Sequence, residues 1–90
     1  MLNPKTAPKS FWELLPAERH AVLNLVEKHR ELLWGYNIEL VTVSPSRRHQ
    51  VAEAFCKRMG VTREQLGWMQ EANMQIELGL IARKTLHRVK

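Results

Sequence analysis

Residues 52–71, AEAFCKRMGVTREQLGWMQE, set the reading of the whole chain. Just upstream of Gly60, Val51, Phe55 and Met59 recur on one helical face, with Ala52 and Cys56 beside them. Gly60 then ends the helix. Thr62 has the chemistry of a helix N-cap, and Gln65 stands three residues later, which is the spacing of a capping box. The pattern predicts a helix over about 45–59, a turn at Gly60, and a further helix that starts at Thr62 and can continue toward Arg88. Gly67 and Gly79 weaken that last helix, each by about 1 kcal/mol relative to alanine.

Upstream, Ser44-Pro45 supplies a cap followed by a proline at the first helical position. The segment before it, YNIELVTV over 36–43, alternates Tyr36, Ile38 and Leu40 with Asn37 and Glu39. That alternation predicts a short β-strand, paired with its own copy in a dimer or left as an extended connector. A helical extension is the other possibility. Residues 16–34 form the clearest amphipathic helix. Pro16 fits its first position, and Val22, Leu25, Val26, His29, Leu32 and Leu33 recur at helical spacing. Gly35 lies where a C-terminal cap belongs. His29 falls on the apolar stripe and is expected to be a boundary residue. Ser10-Phe11-Trp12-Glu13 has capping-box spacing, but Pro16 limits it to one short turn anchored by Phe11, Trp12, Leu14 and Leu15. Residues 1–9, with Pro4 and Pro8, read as a flexible arm. Downstream, Leu66, Met69, Asn73, Ile76 and Leu80 follow a 3-4-3-4 spacing. Asn73 then lies on a dimer seam, or the stripe packs on the 16–34 helix. The expected fold is all-α, with about four helices and one possible strand near 36–43, in a single domain over 10–90.

Ninety residues leave room for one core, only marginally stable alone, so dimerisation is an expected supplement. An apolar fraction of 44% is ordinary for a globular chain. Cys56 is the one cysteine, which excludes an intrachain disulfide framework. Met1–Ser10 lacks the apolar core of a signal peptide, and no apolar run approaches the roughly 20 residues of a membrane span. A soluble, cytoplasmic protein without membrane contact is expected. The charge is uneven. Residues 1–43 hold five Lys/Arg and five Glu, whereas 44–90 hold nine Lys/Arg and four Glu, so the whole excess of +5 sits in the second half. Such a split points to a polyanionic partner or to a solvated basic face.

The 52–71 stretch resembles the twenty-residue core of bacterial, phage and plasmid helix-turn-helix regulators. In that pattern the fifth residue is small where the helices cross, here Cys56, and the ninth is a turn glycine, here Gly60. Its apolar fourth, eighth, tenth, fifteenth and eighteenth positions are Phe55, Met59, Val61, Leu66 and Met69. A plain helical hairpin satisfies much of the same pattern. The resemblance implies that the second helix enters the major groove of double-stranded DNA. Its outer positions are then Thr62, Arg63, Glu64, Gly67, Trp68 and Glu71. Arg63 pairs with guanine, Glu64 accepts from cytosine, and Thr62 meets a phosphate or a thymine methyl. Arg47, Arg48 and His49 before the motif, and Lys57 and Arg58 within it, hold phosphates. Trp68 is also suited to a buried anchor or a protein contact.

No catalytic constellation stands out. The chain has no aspartate, the four histidines lack metal-ligand spacing, and there is no phosphate-binding glycine loop. Cys56 falls on an inner face, where a thiol is unreactive. No enzyme activity, cofactor or metal is expected. The expected function is a small transcriptional regulator binding double-stranded DNA as a homodimer. The alternative is a non-enzymatic module that binds a protein partner, as an adaptor, anti-activator or modulator, suggested by three Trp and four Met in a short chain.

Overall fold

A computed structural model describes residues 10–82. The arm expected over 1–9 and the basic tail from Arg83 to Lys90 lie outside the described residues. A short 3₁₀ turn, Phe11–Glu13, opens the fold. Four helices follow: α1, Pro16–Lys28; α2, Arg30–Thr42; α3, Arg48–Met59; and α4, Arg63–Glu77. A second 3₁₀ turn, Pro45–Arg47, leads into α3. The described residues contain no strand.

Local chemistry fixes the starts of the first turn, α1 and α4. The Glu13 carboxylate accepts from the Ser10 N–H at 2.6 Å, and Glu18 accepts from the Leu15 N–H at 2.8 Å ahead of Pro16. At α4 the box is reciprocal. Gln65 N–H donates to Thr62 Oγ1 at 2.9 Å, and Thr62 N–H donates to Gln65 Oε1 at 2.8 Å. Such a cap is worth on the order of 1 kcal/mol because it satisfies N–H groups that have no partner within the helix.

The single helix expected over 16–34 is two helices that break at His29, six residues before the glycine expected to cap it. His29 takes φ −108° and ψ 26°, outside the helical basin. The break has a packing cause: α1 lies chiefly against α4, whereas α2 lies against α3. Burial, then the adjacent Lys28 ammonium, holds the His29 pKa below its ordinary value, so the neutral imidazole is favoured at this junction. Gly35 sits inside α2 rather than at its end.

The strand expected at 36–43 is the second half of α2. Tyr36 and Leu40, two of the three alternating apolar residues, are also four apart, so a helix places both on its inner face with Leu33. Leu33 and Tyr36 are buried and Leu40 partly so, while Ile38, which a strand would align with them, is 44% exposed. The Tyr36 ring stacks on Phe55 of α3, with centroids 4.3 Å apart and planes 14° from parallel. This stack selects helix over strand. A lone strand here would have left its backbone groups unpaired.

One apolar cluster joins the first turn and all four helices. Phe11 and Leu14 come from the first turn, Val22 and Val26 from α1, and Leu33 and Tyr36 from α2. Ala52, Phe55, Cys56 and Met59 come from α3, and Leu66, Met69 and Ala72 from α4. The 3-4-3-4 stripe of α4 is used within the chain: Leu66 and Met69 are buried, Ile76 packs partly against the same cluster, and α1 covers this flank. The helix ends well short of Arg88. Gly79 takes φ +77°, and the N–H of Leu80 turns back to the carbonyl of Gln75 at 2.9 Å. Among the described residues, no helix is long and apolar enough to cross a membrane.

Candidate nucleic-acid interface

The basic residues singled out by the sequence lie at the two ends of α3, Arg47 and Arg48 at its start and Lys57 and Arg58 at its end, and at the start of α4, where Arg63 follows the α3–α4 junction. Its geometry depends on Gly60. At φ 71° and ψ 34° this residue is left-handed, a conformation that a side chain disfavours. The N–H groups of Gly60 and Val61 both reach the carbonyl of Cys56, at 2.8 and 3.1 Å. The chain therefore leaves α3 in a single step, runs through Val61 and Thr62, and enters α4. The inner positions of the twenty-residue pattern lie in the core: Phe55, Cys56, Met59, Leu66 and Met69 are buried, and Val61 packs partly against them. Burial raises the pKa of the Cys56 thiol, opposed by the Arg63 cation and aided by the Glu53 carboxylate, so the thiolate is disfavoured.

Thr62, Arg63 and Glu64 are exposed at the leading end of α4. Arg63 reaches back to α3. Its Nη1 donates to Glu53 Oε2 at 3.1 Å and lies 3.2 Å from His49 Nδ1. Both partners of the ion pair are about half exposed, so its worth is under about 1 kcal/mol. The contact thus orients the guanidinium without locking it. Arg47 and Arg48 are exposed where the 3₁₀ turn passes into α3, and Lys57 and Arg58 are exposed in its last turn. Among the described residues, no carboxylate stands within ion-pair distance of these four cations. Lys57 and Arg58 also complement the negative end of the α3 dipole.

Two outer positions of α4 lie elsewhere than the motif implies. Trp68 is half-buried beside Glu18, Ala21, Val22 and Leu25 of α1. Glu71 is partly buried and accepts from the Phe11 N–H at 3.0 Å, which docks the first turn onto α4. Both depart from the outward placement for one reason. α1 and the turn before it cover the flank of α4 on which these residues fall, leaving Thr62, Arg63, Glu64 and Gly67 as the open positions of its leading half. Trp68 is therefore an anchor for α1, the other role its size suits.

Glu53 was not singled out from the sequence. Its signal was its position: on adjoining helices, an acid one turn into α3 faces the first turn of α4. The bond from Gln70 Nε2 to Asn37 Oδ1 at 2.6 Å, which ties α4 to α2, was hidden by reading 36–43 as a strand. Among the described residues, no three His, Cys, Asp or Glu side chains cluster with metal-binding geometry. Compared with protein-family models, with curated proteins and with solved structures, the chain matches none.

Proposed function

We propose that this chain is a small transcriptional regulator that binds duplex DNA, with the leading end of α4 in the major groove and α3 across the phosphate backbone. The observation that carries this reading is the Gly60 junction. Its left-handed turn buries the inner positions of the motif and leaves Thr62, Arg63 and Glu64 exposed together at the start of α4. Exposed Arg47, Arg48, Lys57 and Arg58 flank this tip and supply positive charge for phosphates. A guanine edge offers Arg63 two acceptors in place of the Glu53 carboxylate, and Glu64 can accept from a cytosine amino group.

Arg63→Ala is expected to weaken binding to the preferred duplex by roughly 10- to 100-fold, the worth of one base-directed arginine. Fluorescence anisotropy with a site selected from a random duplex library measures this. Unchanged affinity and an unchanged salt slope would remove this mode of binding. The second reading, a module that binds a protein partner, draws on Trp34 and Val41, which are 69% and 78% exposed. A stoichiometric partner that survives nuclease treatment would favour it.

A further inference from the structure

We infer that Glu53 is a positioning residue for Arg63: with His49 it holds one end of the guanidinium and so presents the opposite edge to a guanine. The inference rests on the DNA reading and names what sets base preference within it.

An arginine side chain donates through a rigid planar fork of N–H groups and accepts nothing. Arg63 Nη1 faces two acceptors on α3, Glu53 Oε2 at 3.1 Å and His49 Nδ1 at 3.2 Å. Because the guanidinium only donates, His49 Nδ1 accepts, and the proton of the neutral ring sits on Nε2. His49 and Glu53 are one helical turn apart, so α3 itself sets both toward the first turn of α4. Among the described residues, Nη2 and Nε of Arg63 donate to no group. These two nitrogens form the edge left over. Their parallel N–H groups match a pair of acceptors side by side, which guanine offers through O6 and N7.

Arg63 can meet a guanine by exchanging Glu53 for the base, or by keeping Glu53 and adding the base. Exchange strips the Glu53 carboxylate of its partner while phosphates approach Arg47, Arg48, Lys57 and Arg58 at the ends of the same helix. Keeping Glu53 neutralises the carboxylate and occupies nearly the whole fork, so it is the favoured arrangement. It also lowers the cost of ordering a long side chain at the base, since α3 has fixed part of it beforehand. The pair is half exposed, so its effect is modest, at most about fivefold in equilibrium. On random duplex DNA the same carboxylate holds Arg63 back from phosphates and repels them. Glu53 therefore acts in opposite directions on the two kinds of DNA: it favours a guanine-bearing site and disfavours the bare backbone.

Fluorescence anisotropy on the full chain tests this, with a duplex selected from a random library and with random duplex at the same salt. Glu53→Ala is expected to weaken binding to the selected duplex about fivefold. It should strengthen binding to random duplex, with a salt slope steeper by about 0.9 as Arg63 takes a phosphate. Circular dichroism should be unchanged, because the Glu53 side chain is 46% exposed. Glu53→Gln keeps an acceptor for Nη1 and should recover most of the discrimination. In an Arg63→Ala background, Glu53→Ala should no longer alter the ratio of the two affinities. Glu31→Gln removes a carboxylate beside Glu77, at the far end of α4, and should raise both affinities alike. A Glu53→Ala variant whose two affinities change by the same factor overturns the proposal. So does a change in their ratio that persists without Arg63. Either result leaves the DNA reading standing, whereas a wild-type chain that binds no duplex removes both.

Discussion

Phe55→Ala is expected to lower the free energy of unfolding by about 3–5 kcal/mol, as truncation of a buried phenylalanine does when the site cannot collapse. Phe55 is 6% exposed and its ring is stacked on Tyr36. The substitution removes apolar burial, opens a cavity between α2 and α3, and leaves Tyr36 without its aromatic partner. Burial already raises the pKa of the Tyr36 phenol, despite the opposing Arg63 cation, so a ring released to solvent should also titrate closer to its ordinary value. Against a total stability of about 5–15 kcal/mol for a small domain, the loss is large enough to leave part of the population unfolded. Urea unfolding followed by circular dichroism measures it. Ile38→Ala serves as the comparison. Ile38 is 44% exposed and should cost under about 1 kcal/mol. If the two variants instead cost the same, the apolar face of 36–43 would be that of a strand, with Tyr36, Ile38 and Leu40 equivalent.

Replacing Arg47, Arg48, Lys57 and Arg58 together by alanine is expected to lower affinity for random duplex DNA more than 100-fold at low salt. Each phosphate contact contributes about −0.9 to the slope of log affinity against log salt, so losing four should flatten it by roughly 3–4. The side chains are exposed and, among the described residues, form no ion pair, so the fold should survive. Removing four positive charges takes the net charge from +5 to +1, so part of the loss reflects long-range attraction. The slope, rather than the affinity alone, therefore reports contact. A variant with the wild-type slope would place the DNA, if it binds at all, on another surface.

The elements with local chemical signals were legible in the sequence. Thr62 with Gln65, Gly60, and the two prolines at 16 and 45 marked helix boundaries because caps and left-handed turns need particular side chains. The inner face of α3 and the first half of α4 followed from spacing. The errors came where tertiary packing decided. The break at His29 has no breaker residue; α1 and α2 part there because their partners lie on different helices. Gly35 carries the composition of a cap but lies within a helix stabilised by Leu33 and Tyr36. The period-2 pattern at 36–40 shares two of its three positions with an i, i+4 pair, so periodicity alone could not separate strand from helix. At the interface, residue type showed which side chains are cationic. It could not show that Arg63 reaches Glu53 and His49, nor that α1 covers Trp68 and the first turn engages Glu71.

The central claim is that the basic face around the Gly60 junction holds duplex DNA. Its most direct test is a fluorescence-anisotropy titration of the folded wild-type chain with random duplex DNA at two salt concentrations. The account predicts binding at low salt that weakens steeply as salt rises. A folded chain that binds no duplex at low salt would contradict it.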